Sequence, residues 1–412
     1  MSAIQDQNIQ KEYGYMVDLK IHTDTGTIDI PIHNIGSVRL IHSLSVYCTV
    51  ARISIFIDPQ KFPKSKLDGK ETYELTVGKY PTSHGIADSQ TYKFLSIDSV
   101  CHLPNQSGRA GVGETDRQPG MQVIDLHLAD YNAIKLIHFN VNQVFENQSL
   151  QKMVQSLTSY ASSGTKYSLV ISTFDNREQM ENILIPMQSF ASALRYLNKY
   201  YGFYNSTSFM FIDQNNINIT CPAYVKSLKT PIKIIQIGSN ENIKTEPGIY
   251  YTNSTLSFKS NSNSTIAATG TTIKNLLFPD DSLFETKTLN IEDVAKDTKQ
   301  LGKNQNFRWQ DGALKSTNII PTFHKSESHA KQQLSYELVK NVSSNIAIGY
   351  IPDMRLKDFL PLQSVIVSAS NLEYLEFAGD YFIHTAIMEF TKKANAWIPV
   401  TNLNICRTGV GI

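Results

Sequence analysis

From Tyr15 to Ile21 every second residue is strongly apolar: Tyr15, Val17, Leu19 and Ile21 alternate with Met16, Asp18 and Lys20. Successive side chains of a strand point to opposite faces, so this spacing predicts a half-buried β-strand. Gly26 breaks the pattern and Ile28-Asp29-Ile30-Pro31-Ile32 resumes it. Ala51 to Asp58 is a further strand, ended by Asp58-Pro59, and Glu71–Val77, Tyr92–Ile97 and Met121–Leu128 complete the set. Short period-2 segments between Gly, Pro and Asn clusters predict a closed or nearly closed β-barrel rather than a βαβ unit.

Residues 104–120 interrupt this region with a polar loop carrying Gly108, Gly111 and Gly113. A phosphate loop follows a strand, opens a helix and ends in Gly-Lys-Ser/Thr. Here Glu114-Thr115-Asp116 comes next and the segment ends in Pro119-Gly120, so it reads as a connection.

From about residue 140 the apolar period becomes helical. Ser149 stands as an N-cap before Leu150, Met153, Val154, Leu157 and Tyr160, with Gly164 as the stop. A second helix follows Pro186, with Phe190, Leu194, Leu197 and Tyr201 on one stripe and Gly202 at the left-handed C-cap position. The tyrosines 196, 200, 201 and 204 at that spacing predict packing rather than a ligand-stacking site. Strands return weakly over 250–280. Residues 281–340 read as an insertion with helices near 290–301 and 326–342, separated by a polar loop, 303–323, that holds Trp309. Ile346–Ile351, Ser364–Ser368 and a hairpin from Phe377 to Arg407 are β again. In that hairpin, alternation places Tyr381, Ile383, Thr385 and Ile387 on one face, and Phe382, His384, Ala386, Met388 and Phe390 on the other.

A chain of 412 residues exceeds one hydrophobic core, so several domains are expected. Charged residues make up 18%, below the ~25% of ordinary globular proteins. A surface so rich in Asn, Ser, Thr and Gln fits one covered by neighbouring subunits, or simple compositional bias. The net charge of +1 argues against a dedicated nucleic-acid binder. The N-terminus carries no basic segment followed by an apolar run, and no stretch approaches a membrane span, so cytoplasmic synthesis is expected. Cys48, Cys101, Cys221 and Cys406 lie too far apart for a disulfide framework or a zinc motif.

Catalytic patterns are absent. His324 and His329 are five apart, whereas a metal-binding helix face needs four. Asp280-Asp281 after Pro279 suits a turn. No G-x-S-x-G or paired carboxylates on facing strands are visible. The expectation is a non-enzyme with no catalytic, cofactor-binding or metal-binding residues and no cofactor. Lys226, Lys229 and Lys233, and Lys392-Lys393 in the last turn, read as a solvated basic surface balanced elsewhere.

Three places resemble the central hub of phage tail baseplates, a family shared with the N-terminal part of type VI secretion spike proteins. The first runs from Met187 through Leu194-Arg195-Tyr196-Leu197 to Tyr201-Gly202-Phe203-Tyr204, a leucine-aromatic helix ending at glycine before aromatic strands. The second is Phe359-Leu360-Pro361-Leu362 before the Val-rich strand Ser364–Val367, with Leu362 where a glycine often follows the proline. The third is the closing hairpin from Gly379-Asp380-Tyr381 through His384 and Phe390 to Arg407. The resemblance implies a mainly β fold with an α+β domain: two tube-like β-barrels and an inserted mixed domain, assembling as a ring-shaped trimer. Expected domains are a first barrel (1–135), an α+β domain (136–245), a second barrel in two parts (246–280 and 336–412), and an insertion (281–335) belonging to the α+β domain. It further implies a structural hub, with a contractile tail favoured, that joins a sixfold tail tube to a threefold spike. Expected partners are a separate trimeric spike protein, since the chain stops at Ile412, a tail tube or tube-initiating protein, and baseplate wedge proteins. DNA would pass through the channel without specific binding, and the place would be the virion tail baseplate, assembled in the host cytoplasm. The alternatives are a tail-tip hub of a non-contractile tail, a tail-associated cell-wall hydrolase or a glycan-binding protein.

Overall fold

The computed structural model describes residues 15–58, 69–79, 88–102, 122–162, 167–204, 208–214, 216–221, 224–237, 246–254, 256–259, 271–275, 287–289, 318–322, 345–349, 351, 354–370, 372–393 and 396–407. The chain is mostly β. Its first part supplies β1 (Tyr15–Thr23), β2 (Gly26–Ile30), β3 (Ile35–Ser43), β4 (Thr49–Ile57), β5 (Thr72–Lys79), β6 (Ser89–His102) and β7 (Gln122–Asp130). The alternation in β1 has the expected consequence: Tyr15, Val17, Leu19 and Ile21 are at most 3% exposed, while Met16 and Asp18 face outward.

A mixed layer follows. It contains α1 (Tyr131–Ile137), β8 (Asn140–Ser149), α2 (Leu150–Ala161), β9 (Ser168–Ile171), β10 (Gln179–Ser189), α3 (Phe190–Tyr201), β11 (Phe209–Asp213), β12 (Asn216–Thr220) and the single turn α4 (Val225–Leu228). β8 pairs with β10 as a ribbon, and β11, β12 and β9 form a small sheet. Both helical stripes point into one apolar cluster that includes Met153, Leu157, Phe190, Leu194, Leu197 and Ile219. Ser189 caps α3 by accepting the Ser192 N–H at 3.3 Å. At its other end Gly202 takes φ 66°, a conformation that spares the steric cost of a Cβ. Ser149 sits at the N-cap of α2 but its hydroxyl makes no capping bond. Residues 140–149 and 179–189, including Pro186, are strands where only helix starts were read; each runs directly into a helix.

The last part contributes β13 (Ile232–Gln236), β14 (Ile249–Thr252), β15 (Ser257–Lys259), β16 (Thr271–Asn275), β17 (Lys287–Leu289), β18 (Asn318–Thr322), β19 (Asn345–Ile348), β20 (Ser364–Ala369), β21 (Gly379–Lys393) and β22 (Ala396–Arg407). β16, β17 and β18 form a separate sheet, and β18 lies against α3. The end of the expected polar loop 303–323 is thus a strand, in keeping with the β-branched Ile319-Ile320. The helices expected at 290–301 and 326–342, Trp309, and the glycine loop 104–120 lie outside the described residues.

The main sheet has fourteen strands in the order β14-β13-β20-β21-β3-β4-β7-β6-β5-β1-β22-β19-β15, with β2 added on β1. Because β21 also pairs with β22, eight of these strands close on themselves: β21-β3-β4-β7-β6-β5-β1-β22. The other arms, β14-β13-β20 on β21 and β19-β15 on β22, form a second, open array. Its two ends, β14 and β15, are separated by only 253–256, a stretch that spans at most roughly 17 Å. One continuous apolar cluster runs through both arrays, from Tyr15, Phe94 and Phe390 to Ile234, Phe359 and Val367.

Candidate functional site

The hairpin β21–β22 is the element on which the architecture turns. Along one edge of β21, Gly379–Phe382 pair with β20, whereas Thr385–Phe390 pair with β3. On β22, Leu403–Cys406 pair with β19, while Trp397 pairs with Tyr15 of β1. The base of the hairpin therefore belongs to the open array and its tip to the closed circuit. The two arrays share these strands.

His384 marks the crossing. The β21–β22 register skips there, from Ile383↔Ile405 to Thr385↔Asn404, so one extra residue bulges from the ladder. The bulge resets the alternation. Tyr381 and Ile383 before it, and Ala386, Met388 and Phe390 after it, all enter the same apolar cluster. The two-faced pattern expected from strict alternation is corrected accordingly. Phe382 turns the other way, joining Leu44, Phe211, Val225, Leu362 and Cys406 in a small cluster. His384 Nδ1 lies 3.0 Å from the Thr385 hydroxyl, and its ring meets Phe209 edge-on at 6.2 Å.

The approach to β20 is held by backbone. Leu362 N–H donates to Ile383 O at 2.9 Å, and Ile383 N–H returns the bond to Gln363 O at 3.0 Å. Leu362 has φ 64°, the left-handed conformation that a glycine would adopt without strain, yet its side chain is 2% exposed. Gly379 opens β21 at φ 150°.

The mixed layer is fastened to both arrays, chiefly at the seam around Tyr47 and Cys48. Ile212 N–H donates to Tyr47 O at 2.7 Å, and Cys48 bridges Ile212 in parallel. Arg195 Nε donates to the Tyr47 hydroxyl at 2.9 Å and its guanidinium lies 4.8 Å from that ring. Lys226 Nζ binds Asp380 Oδ2 at 2.5 Å. Lys229 instead is drawn inward, its pKa lowered by burial against the pull of Asp213 and Asp358, and Lys233 stands exposed on β13. The three lysines thus do not form one basic face, because α4 and β13 aim them differently.

The ionisable groups beneath the seam are structural in their bonding. Asp130 caps α1 by accepting the Ala133 N–H at 2.8 Å, and burial pushes its carboxyl up to about 6. His42 is fully buried with Nδ1 2.8 Å from the Thr49 hydroxyl, and burial holds it down to about 4. Cys48 is pushed up to about 12, chiefly by burial, so it is no thiolate nucleophile at neutral pH. Cys48, Cys221 and Cys406 are buried and not joined in disulfides; Cys101 stands on β6. Among the described residues no three His, Cys, Asp or Glu side chains converge as a metal site, and no helix is long and apolar enough to cross a membrane. His324, His329, Asp280 and Asp281 lie outside the described residues.

This arrangement of strands recurs in solved structures. The tail protein from Neisseria meningitidis MC58 superposes with a TM-score of 0.55 at 9% identity, over 96% of this chain and 97% of that one. The 43 kDa tail protein of prophage MuSo2 from Shewanella oneidensis gives 0.55 at 11% identity, over 95% and 98%. A chain of the lidded Francisella PdpA–VgrG complex gives 0.53 at 9% identity, over 97% of this chain but 53% of that one, so this chain spans about half its length. These likenesses establish the fold as that of phage tail proteins. No curated protein matches the sequence significantly. Residues 102–398, most of the chain, match the sequence profile described as Bacteriophage PBS1 gene 109 protein, and the chain belongs to that phage family.

Proposed function

We propose that this chain is the structural hub of a phage tail baseplate, a non-enzymatic trimer joining a sixfold tail tube to a threefold spike around the channel for DNA. The observation that carries the proposal is the pair of β arrays sharing one hairpin. A chain with one closed circuit and a second, open array supplies two β units, and on this reading three such chains supply six. On this reading the domains follow the expected division into barrel (1–135), α+β domain (136–245), and second barrel (246–280 and 336–412), with 281–335 as the insertion, except that the 379–407 hairpin of the second barrel also closes the first. The packing of β18 against α3 supports placing that insertion with the α+β domain. Partners are a separate trimeric spike, the tail tube or its initiating protein, and baseplate wedge proteins. The tail is contractile, and its place is the virion baseplate after assembly in the host cytoplasm.

A channel wall for passing DNA must not grip phosphate, which clustered Lys and Arg would do. The scattered lysines and the net charge of +1 agree with that requirement. Imaging of intact tails at a resolution that separates domains is the test. Three copies of this chain at the centre of the baseplate, with the two arrays alternating around the axis, are expected. A peripheral position, or a copy number that is not a multiple of three, overturns the proposal.

A further inference from the structure

The mixed layer meets the closed circuit at a short backbone bridge, with a carboxylate on each side of it. Ile212 N–H donates to Tyr47 O at 2.7 Å, and Cys48 bridges Ile212. Asp213 is the next residue along β11. On the circuit side Cys48 is hydrogen-bonded to the Asp130 backbone, so Asp130 stands at the same bridge. Asp130 is 4% exposed, and its carboxylate accepts the Ala133 N–H at 2.8 Å. Lys229, itself lowered by burial, is the cation that acts on Asp213.

Buried carboxylates resist ionisation, and a second negative charge nearby adds to that resistance. Burial pushes Asp213 above the ordinary carboxylate range. It lifts Asp130 to about 6, and the Asp213 charge contributes to that rise. The other groups around the pair do not relieve it. Tyr92 of β6 faces Asp213 but donates its hydroxyl to Gln90 Oε1 at 2.5 Å. Tyr167 faces Asp130 but donates to Asn132 O at 2.7 Å. Cys48 remains a thiol at neutral pH, and His42, 6.0 Å from the Tyr92 ring, is neutral above about 4. Asp88, which also faces Tyr92, accepts the Leu356 N–H at 2.8 Å among Arg355, Lys357 and Asp358.

We propose that Asp130 and Asp213 form a pH-sensitive latch: with a proton on the pair the mixed layer is clamped to the closed circuit, and with both carboxylates ionised the clamp opens more readily. The opening is local, a parting of β11 from the Tyr47–Cys48 turn that leaves both layers folded. Water sets the direction. Once the bridge parts, both carboxylates are hydrated and titrate near the ordinary 3.8, so the closed form holds the proton more tightly. Acid therefore favours the closed form, and the advantage is lost as pH rises through about 6. For Asp130 alone the opening equilibrium rises about tenfold between pH 5 and pH 7, and Asp213 adds in the same direction.

Hydrogen exchange of the full-length chain tests this at the Ile212 amide, whose bond to Tyr47 O is the bridge itself. Its protection, corrected for the intrinsic exchange rate at each pH, should be about tenfold lower at pH 7 than at pH 5. The amides of β4, which open with the circuit, should show no such loss. Combining Asp130→Asn with Asp213→Asn removes both titrations, and asparagine caps a helix about as well as aspartate. In that doubly substituted chain the Ile212 protection should change by less than about twofold over the same interval. The wild-type comparison stands without any substitution: an Ile212 amide whose protection does not fall between pH 5 and pH 7 overturns the latch. A loss shared equally with β4, which is global unfolding, overturns it too, as does a tenfold loss that persists in the doubly substituted chain. None of these outcomes bears on the hub reading.

Discussion

Leu362 offers a test in which the usual ranking of two substitutions reverses. Its side chain is 2% exposed among Leu44, Phe211, Val225, Phe382 and Cys406, so Leu362→Ala should cost about 2–5 kcal/mol through lost burial and the cavity left behind. At an ordinary site Gly is less stable than Ala by roughly 0.5–1 kcal/mol, because the unfolded chain gains freedom. Leu362, however, holds φ 64°, where any Cβ costs about 1–2 kcal/mol and glycine escapes that cost. The two effects oppose, and the steric one is the larger. Leu362→Gly should therefore match or exceed Leu362→Ala in stability by up to about 1 kcal/mol, although both fall below the wild type. Urea unfolding of the two variants side by side, followed by tryptophan fluorescence, reads the difference as a shift in midpoint. If the glycine variant unfolds at the lower urea concentration by the ordinary margin, the left-handed turn into β20 is wrong.

Gly379 has φ 150° and room for a Cβ, which would meet only Tyr381 at 3.7 Å. Gly379→Ala and Gly379→Val should both destabilise by about 1–3 kcal/mol through the backbone rather than through a clash, and an unchanged melting temperature in either refutes this. Asp130 and His42 give opposing pH signatures. Asp130 titrates near 6 when folded against an ordinary 3.8, so the folded chain binds its proton first and gains about 1 kcal/mol as pH falls from 7 to 5. Asp88 and Asp213, also raised by burial, act in the same direction. His42 titrates near 4 against an ordinary 6.5, so the unfolded chain binds first and stability drops by about 2 kcal/mol over the same interval. Urea midpoints at the two pH values should then diverge: relative to wild type, His42→Gln gains stability on acidification and Asp130→Asn loses it. Identical pH slopes in both variants would sink the assignment. Removing residues 379–407 should leave β1, β3, β19 and β20 with open edges and give an aggregating, dye-binding product. A monodisperse fragment would show that the hairpin is dispensable.

The sequence made the strands of the first part legible because one face is buried, and alternation such as Tyr15–Ile21 records that directly. It made α2 and α3 legible for the equivalent reason at helical period. β8 and β10 escaped because each carries few inward residues, such as Val141 and Phe145, before a strong helical stripe takes over. The bulge at His384 was invisible, since an extra residue in one strand shows only against its partner's register. For the same reason the sharing of β21 and β22 was hidden: pairing with β3 in one half and β20 in the other is a long-range choice that no local pattern encodes. The dispersal of Lys226, Lys229 and Lys233 depended on where α4 ends and β13 begins. Leu362 was marked by the proline before it, yet its backbone conformation was not readable from a residue type that rarely adopts it.

The two strands that complete the closed circuit, β21 and β22, leave the ribosome long after β7. Until they arrive, the nascent chain holds β3 and β1 as exposed sheet edges around an unfinished apolar interior. A chain stalled or cleaved before Gly379 has no means of sealing either array. Closure of the circuit thus depends on Gly379–Arg407 having been made, and only molecules that carry that hairpin would present the finished wall.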